Sequence, residues 1–87
     1  MPKFYFDVRD GSRFIPDEEG SNLADLAAAE REAAVAAAEI GRERLPQGEL
    51  RTIVVEVRNH HGQRVLTATA ALTVERVVPE PGPQLSD

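Results

Sequence analysis

Between Lys3 and Arg9 apolar and polar side chains alternate: Phe4, Phe6 and Val8 fall on one side of an extended chain, and Lys3, Tyr5, Asp7 and Arg9 on the other. A period of two marks a half-buried strand. Asp10-Gly11 interrupts it, and Asp-Gly suits a two-residue type I′ turn, in which both central positions need positive φ. "SRFI", residues 12–15, reads as a short return strand, closed by Pro16, which has no N–H to give a ladder. After Gly20 the period changes to that of a helix. Asp25 is the expected N-cap, with Asn22 as its competitor, because its carboxylate can accept a first-turn N–H at the positive end of the helix dipole. Leu26, Ala29, Ala33, Ala36, Ala37 and Ile40 share one helical face, and Arg31, Glu32, Glu39, Arg42 and Glu43 cover the opposite one. Gly41 weakens the last turn by about 1 kcal/mol relative to alanine, so fraying is expected there. "PQG", residues 46–48, ends the helix in either case.

The second half returns to a period of two. In "RTIVVEVR", residues 51–58, Ile53, Val55 and Val57 face inward, and Thr52, Val54, Glu56 and Arg58 outward. "NHHG" follows, with Gly62 placed for the left-handed position that closes a type I turn with a bulge. Residues 64–74 supply a long last strand whose inward set is expected to be Leu66, Ala68, Ala70, Leu72 and Val74, with a bulge near Ala70-Ala71 able to switch faces. These elements give an α+β fold, β-β-α-β-β: two hairpins forming a four-stranded antiparallel sheet, with one helix packed on one face. The pattern leaves strand order open. Residues 1–77 form the single domain, and 78–87, with Pro79, Pro81, Gly82 and Pro83, read as a disordered tail.

Eighty-seven residues suffice for one thin core, and although 41% are hydrophobic, alanine supplies much of that and only four are aromatic. Thin domains often gain stability from a partner subunit. The net charge of −5 leaves no basic stripe for phosphates or anionic lipid, so neither nucleic acid nor a membrane is expected as a partner. With no cysteine there is no disulfide, thiolate metal site or thiol nucleophile. No run approaches the ~18 apolar residues of a membrane span, and "MPKFYF" lacks the features of a signal peptide; the expected location is cytoplasmic.

Candidate chemistry is sparse. Asp17, Glu18 and Glu19 are consecutive, with Asp10 and Asp7 within reach across the first hairpin, and could hold a divalent cation or small ligand. Calcium loops place oxygens at alternating positions around a sharp turn, and "DEEGSNLAD" lacks that alternation. Asp10, Gly11, Pro16, Asp17, Gly20, Asp25 and Gly62 read instead as architecture: turns, strand ends and a helix cap. Adjacent His60 and His61 lack the further ligands a zinc site needs. No nucleophile–base pair and no acid in an apolar setting can be named, so neither an enzyme nor a cofactor is expected. Ala27, Ala28, Ala34, Val35 and Ala38 lie off the buried helical face and would let a second helix approach closely. The long last strand is a second candidate contact, because an unprotected edge pairs readily with another chain.

Met1, Pro2, Phe4, Phe6, Asp10 and Gly11, then Asp17 and Gly20, then Leu23, Asp25 and Ala29 together form a pattern. It resembles the short bacterial proteins grouped as domain of unknown function family 6894. The likeness covers roughly residues 1–75 and departs at Asn59-His60-His61, where the family usually has an acidic turn. The resemblance implies a bacterial, cytoplasmic protein and carries no catalytic residues over. The expectation is therefore a non-enzymatic assembly module, forming a homodimer or binding an unidentified protein. The alternative is a small-ligand or cation sensor using Asp10, Asp17, Glu18 and Glu19.

Overall fold

The first hairpin sets the frame. In the computed structural model, which describes residues 1–78, β1 (Lys3–Asp10) turns at Gly11-Ser12 into β2 (Arg13–Ile15), pairing Asp10 with Arg13 and Val8 with Ile15. The central pair is thus Gly11-Ser12 and not Asp10-Gly11. Only Gly11 has positive φ, at 61°, which is the pattern of a type II′ turn, whereas type I′ needs two such residues. Pro16 ends β2 as expected. The chain then rejoins the same edge of β1 as a short strand, β3 (Ser21–Asn22), with Lys3 opposite Asn22. The sheet therefore has five strands where four were expected, because the return strand is split in two around residues 16–20.

Helix α1 (Leu26–Arg44) starts at Asp25, whose carboxylate accepts the Ala28 N–H at 2.9 Å. It runs through Gly41 without fraying, and a 3-10 turn, Leu45–Gln47, ends at the left-handed Gly48. Next come β4 (Thr52–Asn59) and β5 (Arg64–Ala71), and the sheet is antiparallel in the order β2-β1-β4-β5. In the second turn Gly62, at φ 80°, donates to the Asn59 carbonyl, and the Asn59 side chain accepts from the His61 and Gln63 N–H groups. The bulge lies at Val65, between the pairs Val57–Leu66 and Arg58–Arg64, rather than near Ala70-Ala71.

α1 packs over β4 and β5. Its contact stripe is Ala29, Ala33, Ala37 and Gly41, one small residue per turn, set against Val55, Val57 and Phe4. Gly41 owes its place to that packing. A Cβ there would lie 3.0 Å from the Ala70 Cβ and 3.1 Å from Leu45 Cδ1, so glycine lets the helix sit down on β5. Leu26, expected inside, is 48% exposed because the helix rests on its alanines rather than its leucine. Among the described residues only Ile53, Val55 and Val57 are large and fully sealed, each contributing roughly 1.5–3 kcal/mol on burial. The tail expected over 78–87 falls, beyond Val78, outside the described residues.

Candidate functional site

Residues 16–20 cross the gap between β2 and β3, and Asp17 holds them there. Its Oδ2 accepts the Phe6 N–H of β1 at 3.0 Å, taking the place of a missing ladder partner, while Oδ1 accepts the Glu19 and Gly20 N–H groups at 3.1 Å each. Its own N–H donates to Asp7 Oδ1 at 2.9 Å. Gly20 completes the loop at φ 73°, where a Cβ would lie 2.9 Å from the Tyr5 ring. Burial opposes ionisation of Asp17, but the three backbone donors outweigh it and hold the carboxyl below its usual range. Glu18 and Glu19 project into solvent, and Asp10 lies apart from Asp17, on the opposite, helix-facing side of β1. Among the described residues no group of three or more His, Asp or Glu side chains is arranged to hold a metal ion.

Asp10 is 2% exposed, and the Arg44 guanidinium reaches to within 2.9 Å of its Oδ2. That contact neutralises the charge but is out of line for a hydrogen bond, and neither carboxylate oxygen of Asp10 accepts one. The rings of His60 and His61 meet at a tilt of 41° in the exposed second turn, 3.9 Å between centres.

The face of the sheet away from α1 is not a plain wet surface. Asp7 and Glu56 sit directly opposite each other on β1 and β4, a like-charge pair that would destabilise an open sheet. Arginines two residues along, on the diagonals, resolve it. Arg58 grips Asp7 with two bonds of 2.6 and 3.1 Å, and Glu56 bridges Arg9 at 3.2 Å and Arg64 at 3.1 Å. The Arg58 hydrogen bonds outweigh desolvation and hold Asp7 below the usual carboxylate range. The arginines roof the acids, so both are buried although they face outward. Arg58 also lies over the Tyr5 ring and Arg9 over Phe14, at 4.8 and 4.7 Å. Sequence reading placed Asp7 and Glu56 on the outer face but missed their burial, because the diagonal pairing depends on the register of β1 against β4.

The two margins of the sheet differ. Beside β1 the short, broken β2 and β3, with Pro16, the Asp17 side chain and the charges of Arg13, Glu18 and Glu19, leave little backbone for another strand to join. β5 has β4 on one side and, among the described residues, no strand on the other. From Val65 to Val74 this margin carries no ionisable side chain. An open groove of about 470 Å³ runs along it between α1 and β5, lined by Ala34, Ala37, Ala38, Leu66, Ala68 and Ala70 together with Thr67, Thr69 and one charged residue, Glu30. A second hollow follows at Gly41, Arg42, Leu45 and Leu72.

Of the helical residues expected at a contact, Ala34 and Ala38 line this groove, and Ala27, seven before Ala34, shares their side of α1. Ala28 and Val35 lie on a different side of the helix, where Val35 is exposed. Among the described residues no helix is long and apolar enough to cross a membrane. Comparison with curated proteins and with solved structures gives no significant match. The strands and helix that build the two faces and the open edge are, however, those covered by a family model matching residues 3–71, and the chain belongs to that family, described as Domain of unknown function (DUF6894).

Proposed function

We propose that this protein is an assembly module without catalytic chemistry, working in the bacterial cytoplasm and pairing with a second copy through the free edge of β5 and the adjoining flank of α1. The observation that carries this reading is the contrast between the margins: one is blocked in several ways, the other is a long open strand edge with no ionisable side chain from Val65 to Val74, flanked on α1 by Glu30 and Arg42. A chain of net charge −5 repels its own copies, and a strand edge without ionisable side chains is where two of them can join at least electrostatic cost.

Geometry supports the same pairing. α1 sits over β4 and β5. If two β5 strands pair edge to edge, each helix lies over its own strand pair, two strand spacings from its mate, or roughly 10 Å. Packed helices stand about 8–10 Å apart, at the lower end when the contact residues are small. Ala34, Ala38 and Gly41 on the facing flanks are small enough.

Sedimentation velocity on two variants tests the reading. Ala38→Glu places a charge on the flank and is expected to give a monomer at concentrations where the parent chain is a dimer. Val35→Glu, also at an exposed position but on another side of α1, is expected to stay dimeric. Equal behaviour of the two variants, or a parent chain that is monomeric throughout, would contradict the proposal.

A further inference from the structure

Resting on the assembly reading above, we infer that the occupant of the α1–β5 groove is residues 72–74 of the second copy, which fixes the register of the pair with its twofold axis at Ala70. The alternation of β5 does not stop where its ladder stops. Leu66, Ala68 and Ala70 face the helix, Thr67, Thr69 and Ala71 face away, and Leu72-Thr73-Val74 continue the same period. Yet β4 begins at Thr52, opposite Ala71, so among the described residues no strand pairs with these three, which border an open hollow with Leu45, Leu50 and Arg51. Leu72 is 44% and Val74 81% exposed, an apolar overhang with strand patterning and no strand to join.

An antiparallel pair of β5 strands can be set in only a few registers. Directly opposed residues share a face, so keeping both helices on one side of a joint sheet places the axis at a residue and not between two. Centred on Ala68 or on Thr69, the paired stretch would run across the irregular start of β5 and set the Arg64 charge opposite Leu72 or Val74. Centred on Ala70, it runs over nine residues, 66–74. Leu66 then meets the partner copy's residue 74, and Ala68 its residue 72. On the helix-facing side large residues meet small or branched ones, and Ala70 meets its own copy. On the other face residues 67 and 73, both threonine, lie opposite each other. The overhanging leucine and valine thereby enter the groove under Ala34 and Ala38.

At the axis, Gly41 lies against Ala70, so the helices cross where their side chains are smallest. A nine-residue strand edge is about 30 Å long, and sheet plus helix about 20 Å deep, giving about 600 Å² per partner. The total of about 1,200 Å² is at the lower limit of stable interfaces and implies a dimer that dissociates on dilution.

The chain has no cysteine, so single cysteines report the register directly. Thr67, Ala68, Thr69, Ala70 and Ala71 are each replaced by cysteine in the full chain and exposed to a mild oxidant. Opposed Cα atoms lie about 4.5–5.5 Å apart, within disulfide reach, whereas a residue two places off the axis is beyond it. Ala70→Cys is expected to form the covalent dimer at least tenfold faster than any other position. A maximum elsewhere would overturn the register while leaving edge pairing intact. No cross-link at any position, with a monomeric mass, would overturn both. Leu72→Asp/Val74→Asp, at exposed positions, is expected to keep the far-UV circular dichroism of the parent and weaken dimerisation at least tenfold. An unchanged dissociation constant would also overturn the assignment.

Discussion

Replacing Asp17 separates a structural acid from a ligand-binding one. Its carboxylate accepts three backbone N–H groups, from Phe6, Glu19 and Gly20, at 3.0–3.1 Å. Hydrogen bonds of this kind contribute about 1 kcal/mol each in a half-exposed setting, and leaving the Phe6 donor unpaired adds desolvation. Asp17→Ala should therefore cost about 3 kcal/mol. Asp17→Asn keeps one oxygen acceptor but turns an amide donor or a neutral oxygen toward Phe6, and should cost about half as much. A domain of this length has roughly 4–13 kcal/mol in total, so the alanine variant loses a large share.

Urea unfolding followed by circular dichroism measures it. With a slope near 1 kcal/mol per molar for a small domain, the Asp17→Ala midpoint should fall by about 3 M at fixed protein concentration. Hydrogen exchange of the Phe6 amide should rise alongside. Millimolar calcium, magnesium or manganese should leave the melting temperature of parent and variant unchanged. A midpoint shift equivalent to less than about 0.5 kcal/mol, or a cation-induced rise in melting temperature that vanishes in Asp17→Asn, would refute the structural role.

Asp7 and Asp17 both titrate lower in the folded protein than in the unfolded chain, where the value is about 4. Their contribution is complete above that value and is lost as pH falls through the folded-state values, so the urea midpoint should hold from pH 7 to 5 and drop below about pH 4, less steeply in Asp17→Asn. Gly41→Ala gains about 1 kcal/mol of helix propensity but pushes against the Ala70 Cβ on the β5 backbone; thermal unfolding should show a net loss of about 1 kcal/mol. Arg44→Met strands the buried Asp10 charge and should cost about 2 kcal/mol in urea unfolding, more than Asp10→Asn, and the double variant should cost less than the two singles added together.

The fold was legible wherever one face of an element is apolar. The period of two in β1 and β4 and the alanine stripe of α1 assign the inward set, with Ile53, Val55 and Val57 sealed as expected. Asp25 as the cap, Pro16 as a strand end and Gly62 in the second turn follow from local backbone chemistry, which a short stretch of sequence contains in full. What depends on register was not legible. The Gly11-Ser12 turn differs from Asp10-Gly11 by one residue, which only the pairing of Asp10 with Arg13 decides. The split of the return strand required knowing that the Asp17 carboxylate reaches the Phe6 amide eleven residues earlier. Gly41 looked like a weakness because propensity is local and its reason, Ala70, is 29 residues away in sequence.

The site was partly legible for the same reason. Ala34 and Ala38 were visible as small residues off the buried face. That they border an open strand edge, and that Val35 does not, follows from strand order. The acids of the 10–19 stretch looked like a cluster in sequence. The pleat of β1 turns Asp10 toward the helix, and hydrogen bonding turns Asp17 toward the backbone, which leaves Glu18 and Glu19 as solvated charge.

Pairing of β5 along its free edge with a second copy would be seen in amide hydrogen exchange along that strand. Exchange is measured residue by residue at two protein concentrations a hundredfold apart. Edge pairing predicts that alternate amides between Leu66 and Val74, those pointing away from β4, are slow at the higher concentration and become fast on dilution. The amides that face β4, up to its last pair at Ala71, stay slow at both. Fast exchange at the outward amides at both concentrations would contradict the account.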